Sequence, residues 1–325
     1  DDIMGESAYN HLLAQVVERL DAAKMLETSD GAEVVFVDGF VNRDNEPLPL
    51  IIRKTDGGYN YATSDLACVI DRVERLGATV ILYIVGAPQA QHLEMVGVVS
   101  RKAGWVPETT QMVHVAFGNV LGSDRKILKS RSGEVVKLDA LLTEAVERAK
   151  DAVRAKNPDW SDAQHNSIAQ QVGIGAIKYA DLSTDRIKDY VFDWERMLSF
   201  DGNTSPYLQY AHARICSIFR KAGVDRASVR GVTPLVEHEA ERALVLRLLQ
   251  FDTAVLDTLD KYSPHRLCTY LYDLASEFSA FYEHCPVMRA ENDAQRTSRL
   301  ALCDFTARVM SQGLSLLGIE TPEQM

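Results

Sequence analysis

The hydrophobic positions change their spacing partway along the chain. In residues 1–150, short β-branched runs alternate with stretches in which apolar residues recur every three or four positions. This alternation of strand and helix patterns predicts an open, largely parallel α/β sheet. The predicted strands are residues 34–37, 49–53, 79–85 and 112–117, and the predicted helices are residues 7–25, 64–76 and 88–103.

The second part of the chain shows helical spacing throughout. Residues 138–155 form an amphipathic helix that leaves the α/β region, and strand patterns end after about residue 160. Breaks rich in Gly, Pro, Asn and Asp separate the later helices. An α/β part is therefore predicted to precede an all-helical bundle, with helices at residues 161–183, 205–222, 234–262, 264–284 and 292–317.

Composition narrows the class of protein. The 325 residues are 46% hydrophobic, which is enough for two domains with their own cores. The net charge of −11 argues against a general polyanion binder but leaves room for a local basic stripe. The five cysteines form no C-x-x-C pair, so we interpret them as reduced thiols of a cytoplasmic protein without a zinc site.

One polar cluster follows the second predicted strand. The stretch GYNYATSDLA (58–67) enters a helix that Thr63 or Ser64 would cap, and Tyr61 precedes Asp65 by four residues. Ligands of open α/β sheets bind at the carboxyl ends of strands, where a phenol and a carboxylate would meet a cationic substrate. The alternative is that Asp65 simply favours a helix N-terminus.

A second cluster follows the next strand. The segment IVGAPQAQH (84–92) brings Gln89 and His92 to the same rim of the predicted sheet. An amide beside a carboxylate suits a guanidinium, which offers five donors and no acceptor. The alternative is that Gln89 is a surface residue at the start of a helix.

A basic loop, KILKSRSG (126–133), follows the last strand of the α/β part. Lys126, Lys129 and Arg131 make it a donor-rich segment of the kind that binds phosphates. The glycines of the preceding FGNVLG (117–122) would let the backbone approach a ligand closely. The alternative is a solvated cluster of charges.

The stretch SPYLQYAHARI (205–215) begins a helix with two different faces. Tyr207, Tyr210, Arg214 and Lys221 lie within an arc of roughly 60° on a helix of 3.6 residues per turn. Aromatic rings interleaved with cations suit unstacked bases and their phosphates, although an aromatic stripe also suits a core. The apolar face beside this arc comprises Leu208, Ala211, Ile215, Ile218, Phe219 and Ala222.

These segments, taken in order, resemble the arginyl-tRNA synthetase family. The resemblance runs from about residue 5 to the C-terminus and is most specific over residues 176–215. It implies a partial Rossmann-like class I catalytic domain with stem-contact helices (residues 1–196) and a helical anticodon-binding domain (residues 197–325). The implied reaction converts L-arginine and ATP to arginyl-adenylate and then charges the 3′ end of the tRNA.

The resemblance also implies roles for individual residues. Tyr61, Asp65 and Gln89 would hold the arginine guanidinium, with Asp65 as the charge-matched acceptor. Lys129 and Arg131 are the catalytic candidates, because the loop aligns with the signature that stabilises charge on pyrophosphate. The resemblance implies ATP contacts for His92, Gly118, Asn119, Val120, Lys129, Ser130 and Arg131, and anticodon-loop contacts for Tyr207, Tyr210, Arg214, Tyr282 and Met325.

Two departures from the family pattern matter. No H-x-G-H motif occurs, and Ser132 stands where class I enzymes often carry a second lysine. In the family, the first ATP signature and the asparagine and serine that help bind arginine lie in an N-terminal half. We therefore expect this chain to be the C-terminal part of a longer enzyme, with half of an active site and no activity alone.

The implied partners are tRNA(Arg), L-arginine and ATP with Mg²⁺, for a cytoplasmic monomer without a structural metal, a membrane span or DNA binding. Two other functions fit parts of the sequence. A non-catalytic tRNA-binding module would keep the fold but would not need Tyr61, Asp65 and Gln89. Another class I synthetase, such as the cysteine enzyme, would need zinc ligands, which the sequence does not show.

Overall fold

The structure, a computed structural model, describes residues 2–128 and 137–325. The chain divides into two compact units, Asp1–Phe117 and Gly118–Met325. The strands are β1 (Glu27–Ser29), β2 (Ala32–Val41), β3 (Pro47–Arg53), β4 (Val80–Tyr83), β5 (Gln111–His114), β6 (Val120–Leu121) and β7 (Tyr190–Val191). The α-helices are α1 (Leu13–Ala22), α2 (Tyr61–Glu74), α3 (Ala90–Lys102), α4 (Leu138–Lys156), α5 (Asp162–Leu182), α6 (Trp194–Met197), α7 (Ser205–Ala222), α8 (Glu239–Leu248), α9 (Phe251–Lys261), α10 (His265–His284) and α11 (Asp293–Leu316).

The first three strands form an antiparallel sheet in the order β1-β2-β3. The prediction of a largely parallel sheet is wrong here, because a two-residue turn joins β1 to β2. Asp30 and Gly31 form this turn with φ angles of 49° and 79°, as tight hairpins require. Leu50 and Ile52 face the core of this unit while Ile51 between them is exposed, so the sheet buries one face.

Strands β4 and β5 pair in parallel, as predicted, and α3 lies between them in the chain. Ile81 of β4 is buried at 3% exposure, whereas Val80 and Leu82 are 47% and 41% exposed. Ile84, just beyond the strand, is 66% exposed. One face of this short parallel sheet is thus apolar and open among the described residues, whereas parallel sheets are normally covered on both faces.

The second unit is mainly helical, with one short parallel pair, β6 and β7, that the sequence analysis missed. Helices α5, α7, α10 and α11 confirm four predicted helices to within one residue at each end. The single helix predicted over residues 234–262 is wrong, because α8 ends at Leu248 and α9 begins at Phe251. No glycine or proline marks this break, and both helices pack against α10.

The glycines at 173 and 175 lie inside α5, where they allow close packing against neighbouring segments. A Cβ atom at Gly173 would lie 2.7 Å from the carbonyl oxygen of Ala145 and 2.8 Å from the Cα of Val146. The backbones of α4 and α5 approach so closely only because residue 173 has no side chain.

We expect Gly173→Ala to lower the free energy of unfolding by about 1–3 kcal/mol, because the methyl group would push against the α4 backbone. Gly97→Ala is the matched control, since its Cβ in α3 would meet only the Met112 side chain, with Cε at 3.9 Å and Sδ at 4.0 Å. That change should be neutral or stabilising by up to about 1 kcal/mol. Urea unfolding followed by circular dichroism measures both, and equal stability of the two variants would contradict this packing argument.

Candidate active site and nucleic-acid interface

The first candidate site lies at the start of α2. Asn60 caps this helix: its backbone is extended and its side-chain oxygen accepts a hydrogen bond from the Tyr61 N–H at 3.0 Å. The prediction of a cap at Thr63 or Ser64 is wrong, because Thr63 is buried and donates its hydroxyl to a carbonyl oxygen of β3 at 2.5 Å. The helix therefore begins at Tyr61, which places Tyr61 and Asp65 one turn apart on the same side.

His92 joins this pair from α3. Its Nε2 donates a hydrogen bond to Oδ2 of Asp65 at 2.6 Å, and its ring meets that of Tyr61 edge-on, with centroids 4.7 Å apart. The other carboxylate oxygen of Asp65, Oδ1, has no donor among the described residues. Tyr61 is 60% exposed and the Asp65 side chain is 35% exposed, so a ligand in solvent can reach both side chains.

Tyr83, at the end of β4, is a neighbour of Asp65 that the sequence analysis missed. Its hydroxyl is buried without a hydrogen-bond partner among the described residues. Burial, opposed by Arg72 and reinforced by Asp65, raises the pKa of Tyr83 to about 12. Arg72 lies over the Tyr83 ring, 5.6 Å from its centroid. No motif marked Tyr83, because in the sequence it is one more residue of an apolar strand.

No hydrogen bond or ring contact among the described residues links Gln89 to the cluster around Asp65. Gln89 ends a short 3₁₀ helix, Ala87–Gln89, and its exposed side chain has no partner among the described residues. The structure therefore brings Tyr61, Asp65 and His92 together. The predicted arginine contact of Gln89 and the predicted ATP contact of His92 stay predictions.

The predicted adenine-binding backbone belongs to a tightly held loop. The N–H of Gly118 donates to the carbonyl oxygen of Arg186 at 2.7 Å, and that of Asn119 donates to Oδ1 of Asp189 at 2.6 Å. A Cβ at Gly118 would lie 2.6 Å from the carbonyl oxygen of Lys188, so the residue has to be glycine. The group that lies close to Gly118 is thus the backbone of this chain at Lys188.

The remaining residues of the predicted ATP site are Val120 and those of the basic loop. Val120 starts β6 and pairs with Tyr190 in β7. Lys129, Ser130 and Arg131 lie outside the residues that the structure describes, so their predicted roles stay predictions.

The second candidate site is a groove beside α7, here called the Tyr210 groove. Its volume is about 420 Å³. The Arg214 guanidinium lies between two aromatic rings, 5.6 Å from the Tyr210 centroid and 5.1 Å from the Tyr282 centroid. Four of the five predicted anticodon-loop residues meet here, and the lining includes Trp160, Tyr210, Arg214, Lys221, Tyr282 and Met325.

A second cation extends the aromatic surface on the side of Tyr210. The Lys156 ammonium lies 3.2 Å from the centroid of the Phe200 ring and 5.6 Å from that of Tyr210. Desolvation of the ammonium lowers the pKa of Lys156, and Asp201 opposes this shift. No sequence pattern connects Lys156 and Phe200 with Tyr210, because they lie 54 and 10 residues before it.

Helix α7 has three faces, one more than predicted. Leu208, Ala211 and Ile215 are buried, as expected, and Tyr210 and Arg214 are exposed. Tyr207 is half-buried against the core and lies beside the Tyr272 ring, and it does not line the Tyr210 groove. Its predicted anticodon-loop contact stays a prediction. The third face carries the buried residues Gln209, His212 and Cys216.

Three further features concern membrane-spanning helices, metal-binding clusters and the cysteines. Within residues 2–128 and 137–325, no helix combines the length and apolarity needed to cross a bilayer. The same residues contain no group of three or more His, Cys, Asp and Glu side chains arranged to hold a metal ion. The five cysteines are free, and all except the half-buried Cys68 are buried.

The α/β unit and the helical unit are those of a class I aminoacyl-tRNA synthetase. Residues 2–194 match the family described as "tRNA synthetases class I (R), catalytic domain", and residues 208–325 match the DALR anticodon binding domain. The chain belongs to the arginyl-tRNA synthetase family.

Individual relatives agree with this assignment. The chain is 54% identical to an arginine–tRNA ligase of Thermobifida fusca and 50% identical to one of Erwinia tasmaniensis, over 99% and 100% of its length. It covers 56% of each of those proteins, so it spans about half the length of the curated relatives it matches.

Solved structures give the same result. The arginyl-tRNA synthetase of Plasmodium falciparum superposes with a TM-score of 0.84 at 30% identity, covering 100% of this chain and 54% of that one. The Thermus thermophilus arginyl-tRNA synthetase gives 0.82 at 28% identity, covering 97% of this chain and 58% of that one.

Proposed function

We propose that this chain supplies the C-terminal part of an arginine–tRNA ligase. In the proposed reaction, the arginine carboxylate attacks the α-phosphorus of ATP, which releases pyrophosphate and forms arginyl-adenylate. A ribose hydroxyl at the 3′ end of tRNA(Arg) then attacks the arginyl carbonyl carbon, and AMP leaves.

The observation that carries this proposal is the Asp65 carboxylate, of which only one oxygen has a hydrogen-bond donor among the described residues. Oδ2 is held by His92 at 2.6 Å, while Oδ1 has no donor among the described residues. A guanidinium offers donors only, so it fits an oriented carboxylate with a free oxygen. The adjacent Tyr61 ring provides an aromatic surface for the same planar cation. We assign Gln89 to the orientation of this guanidinium.

The triphosphate is assigned to the basic loop of Lys129, Ser130 and Arg131. Lys129 and Arg131 would stabilise the negative charge that develops on the leaving pyrophosphate. Mg²⁺ enters as part of the ATP substrate complex. We assign adenine to Gly118, Asn119 and Val120, with His92 nearby. The N–H groups of Gly118 and Asn119 already donate within the chain, and the Asn119 carbonyl oxygen accepts from the Tyr190 N–H at 3.1 Å. We therefore assign the adenine amine to the Gly118 carbonyl oxygen.

We further propose that the remainder of the active site comes from a part of the enzyme outside these 325 residues. The match to about half of each relative supports this. So does the open apolar face of β4, with Val80, Leu82 and Ile84 41–66% exposed, because a parallel sheet in this fold is covered on both faces. Alone, the chain would bind substrates incompletely and form no adenylate.

The Tyr210 groove is assigned to the anticodon loop of tRNA(Arg). Tyr210 and Tyr282 offer stacking surfaces for unstacked bases, and Arg214 between them offers charge to the phosphates. Local cations such as Lys156 and Lys221 let an RNA bind although the chain as a whole carries a net charge of −11. We retain Tyr207 as a residue that supports this surface from beside it.

The remaining assignments follow from the proposed function. The catalytic part would extend to residue 196 and the anticodon-binding part would begin at residue 197. The enzyme would act as a monomer in the cytoplasm, where its tRNA and amino acid substrates are found.

We expect Asp65→Asn in the full-length enzyme to impair the use of arginine far more than the binding of ATP. Removing the counter-charge of a bound guanidinium costs about 2–5 kcal/mol. That corresponds to a loss of roughly 30-fold or more in kcat/KM for arginine. Steady-state charging with varied arginine and varied ATP measures the two effects separately.

Glu74→Gln is the control for this change, because it neutralises a carboxylate on the same helix. Glu74 forms an exposed ion pair with Arg19, which contributes little stability. The control should charge tRNA normally. Equal losses in arginine and ATP use by Asp65→Asn would contradict the assignment of Asp65.

We expect Tyr210→Ala to weaken binding of an anticodon-arm RNA hairpin by about 1–3 kcal/mol, the usual value of one base stacked on an aromatic ring. Tyr210→Phe keeps the ring and should bind as the unmodified chain does. Fluorescence anisotropy with a labelled hairpin provides the measurement. If the alanine variant folds, as circular dichroism would show, and still binds the hairpin fully, Tyr210 does not stack on RNA.

A further inference from the structure

The C-terminal residues run along the third face of α7 and are held there by its side chains. Gln209 Nε2 donates to the carbonyl oxygen of Glu320 at 2.8 Å, and His212 Nδ1 donates to that of Pro322 at 3.1 Å. Arg220 Nη1 donates to the carbonyl oxygen of Glu323 at 3.0 Å. We call these C-terminal residues, 318–325, the tail.

The two inner donors are buried. Gln209 is 0% exposed and His212 is 4% exposed. Gln209 Nε2 also donates to the carbonyl oxygen of Gln171 in α5, at 3.1 Å, so a single amide joins α5, α7 and the tail. Because both partners are carbonyl oxygens, the nitrogen of this amide has to face them.

The carbonyl oxygen of Pro322 also determines which ring nitrogen of His212 carries the proton. A carbonyl oxygen can only accept, so Nδ1 of the ring carries the proton. Burial lowers the pKa of His212, a shift opposed by the bond to Pro322 and by Glu323 and reinforced by Arg226. The neutral ring with its proton on Nδ1 is thus the form that holds the tail at neutral pH.

These bonds determine where the end of the chain lies. Beyond Glu323, the residues Gln324 and Met325 reach the Tyr210 groove and form part of its lining. Met325 also packs against the apolar cluster of Ala149, Ala169 and Val172. The same helix therefore presents Tyr210 and Arg214 to the groove on one face and holds, with another face, the segment that supplies Gln324 and Met325 to its lining.

We infer that Gln209 and His212 are positioning residues for RNA recognition: by fixing the tail backbone, they hold Gln324 and Met325 as one wall of the groove that receives the anticodon loop. The inference rests on the proposed RNA-binding function. It assigns to two buried residues an effect on RNA affinity that they exert only through the tail.

A matched pair of variants at His212 tests this inference. His212→Leu removes the donor, so we expect about tenfold weaker binding of a tRNA(Arg) anticodon-arm hairpin, the effect of losing about one good contact. Amide hydrogen exchange of residues 320–325 should rise at the same time. His212→Asn carries an amide nitrogen in place of Nδ1, so it should restore both tail protection and affinity.

Deleting residues 323–325 provides the second test, and it does not alter any buried side chain of α7. The deletion should weaken hairpin binding at least as much as His212→Leu. In the shortened chain, His212→Leu should cost no further affinity, because a positioning residue has no effect once the part it positions is gone. Additive losses, or a deletion that leaves affinity unchanged, would overturn the inference.

These experiments distinguish a failure of this inference from a failure of the proposed RNA-binding function. If the unmodified chain fails to bind the hairpin while His212→Leu still frees the tail, the RNA-binding proposal is wrong and the inference falls with it. If the unmodified chain binds and His212→Leu frees the tail without loss of affinity, only the inference is wrong. If His212→Leu does not fold, the deletion decides the outcome by itself.

Discussion

Helix α7 has to bury two of its faces and leave the third exposed, and the helical unit is built around this requirement. Leu208 and Ile215 enter the main core, while Gln209 and His212 satisfy the backbone of the C-terminal residues. A buried N–H group without an acceptor would be costly, so the bonds of Gln209 Nε2 and His212 Nδ1 specify how this face packs. Because the other two faces are held in this way, the orientation of the exposed face with Tyr210 and Arg214 is also set.

The Asp65 site follows the same logic in the α/β unit. Asn60 sets the first residue of α2, which places Tyr61 and Asp65 one turn apart. His92 then fixes one carboxylate oxygen, while the other has no donor among the described residues. A charged group held in one orientation before its ligand arrives loses little freedom on binding, which favours both affinity and selectivity.

Local patterns predicted much of the fold, and the failures have physical causes. Apolar spacing placed α5, α7, α10 and α11 almost to the residue, because each buries a continuous stripe. The antiparallel hairpin was missed although Asp30-Gly31 is a strong turn signal. The break between α8 and α9 was missed because α9 lies on the surface with no fully buried residue, and no turn residue marks the gap.

The candidate sites were predictable only in part. Spacing within one helix is enough to associate Tyr210 with Arg214, and the family resemblance named Tyr282 and Met325. Reasoning from strand ends placed His92 at the same rim as Asp65, and the two side chains meet there. Contacts such as that of Lys156 with Phe200 depend on tertiary packing that no local pattern encodes. Gln209 and His212 belong to the same class, since their partners lie 111 and 110 residues further along the chain.

The central claim is that this chain carries one half of an arginine-activating site. The most direct test is tRNA-dependent exchange of pyrophosphate into ATP with arginine present, run on the chain alone and on the chain co-expressed with the preceding part of the full-length enzyme. We predict no exchange by the chain alone and clear exchange when both parts are present. Clear exchange by the chain alone would contradict the claim.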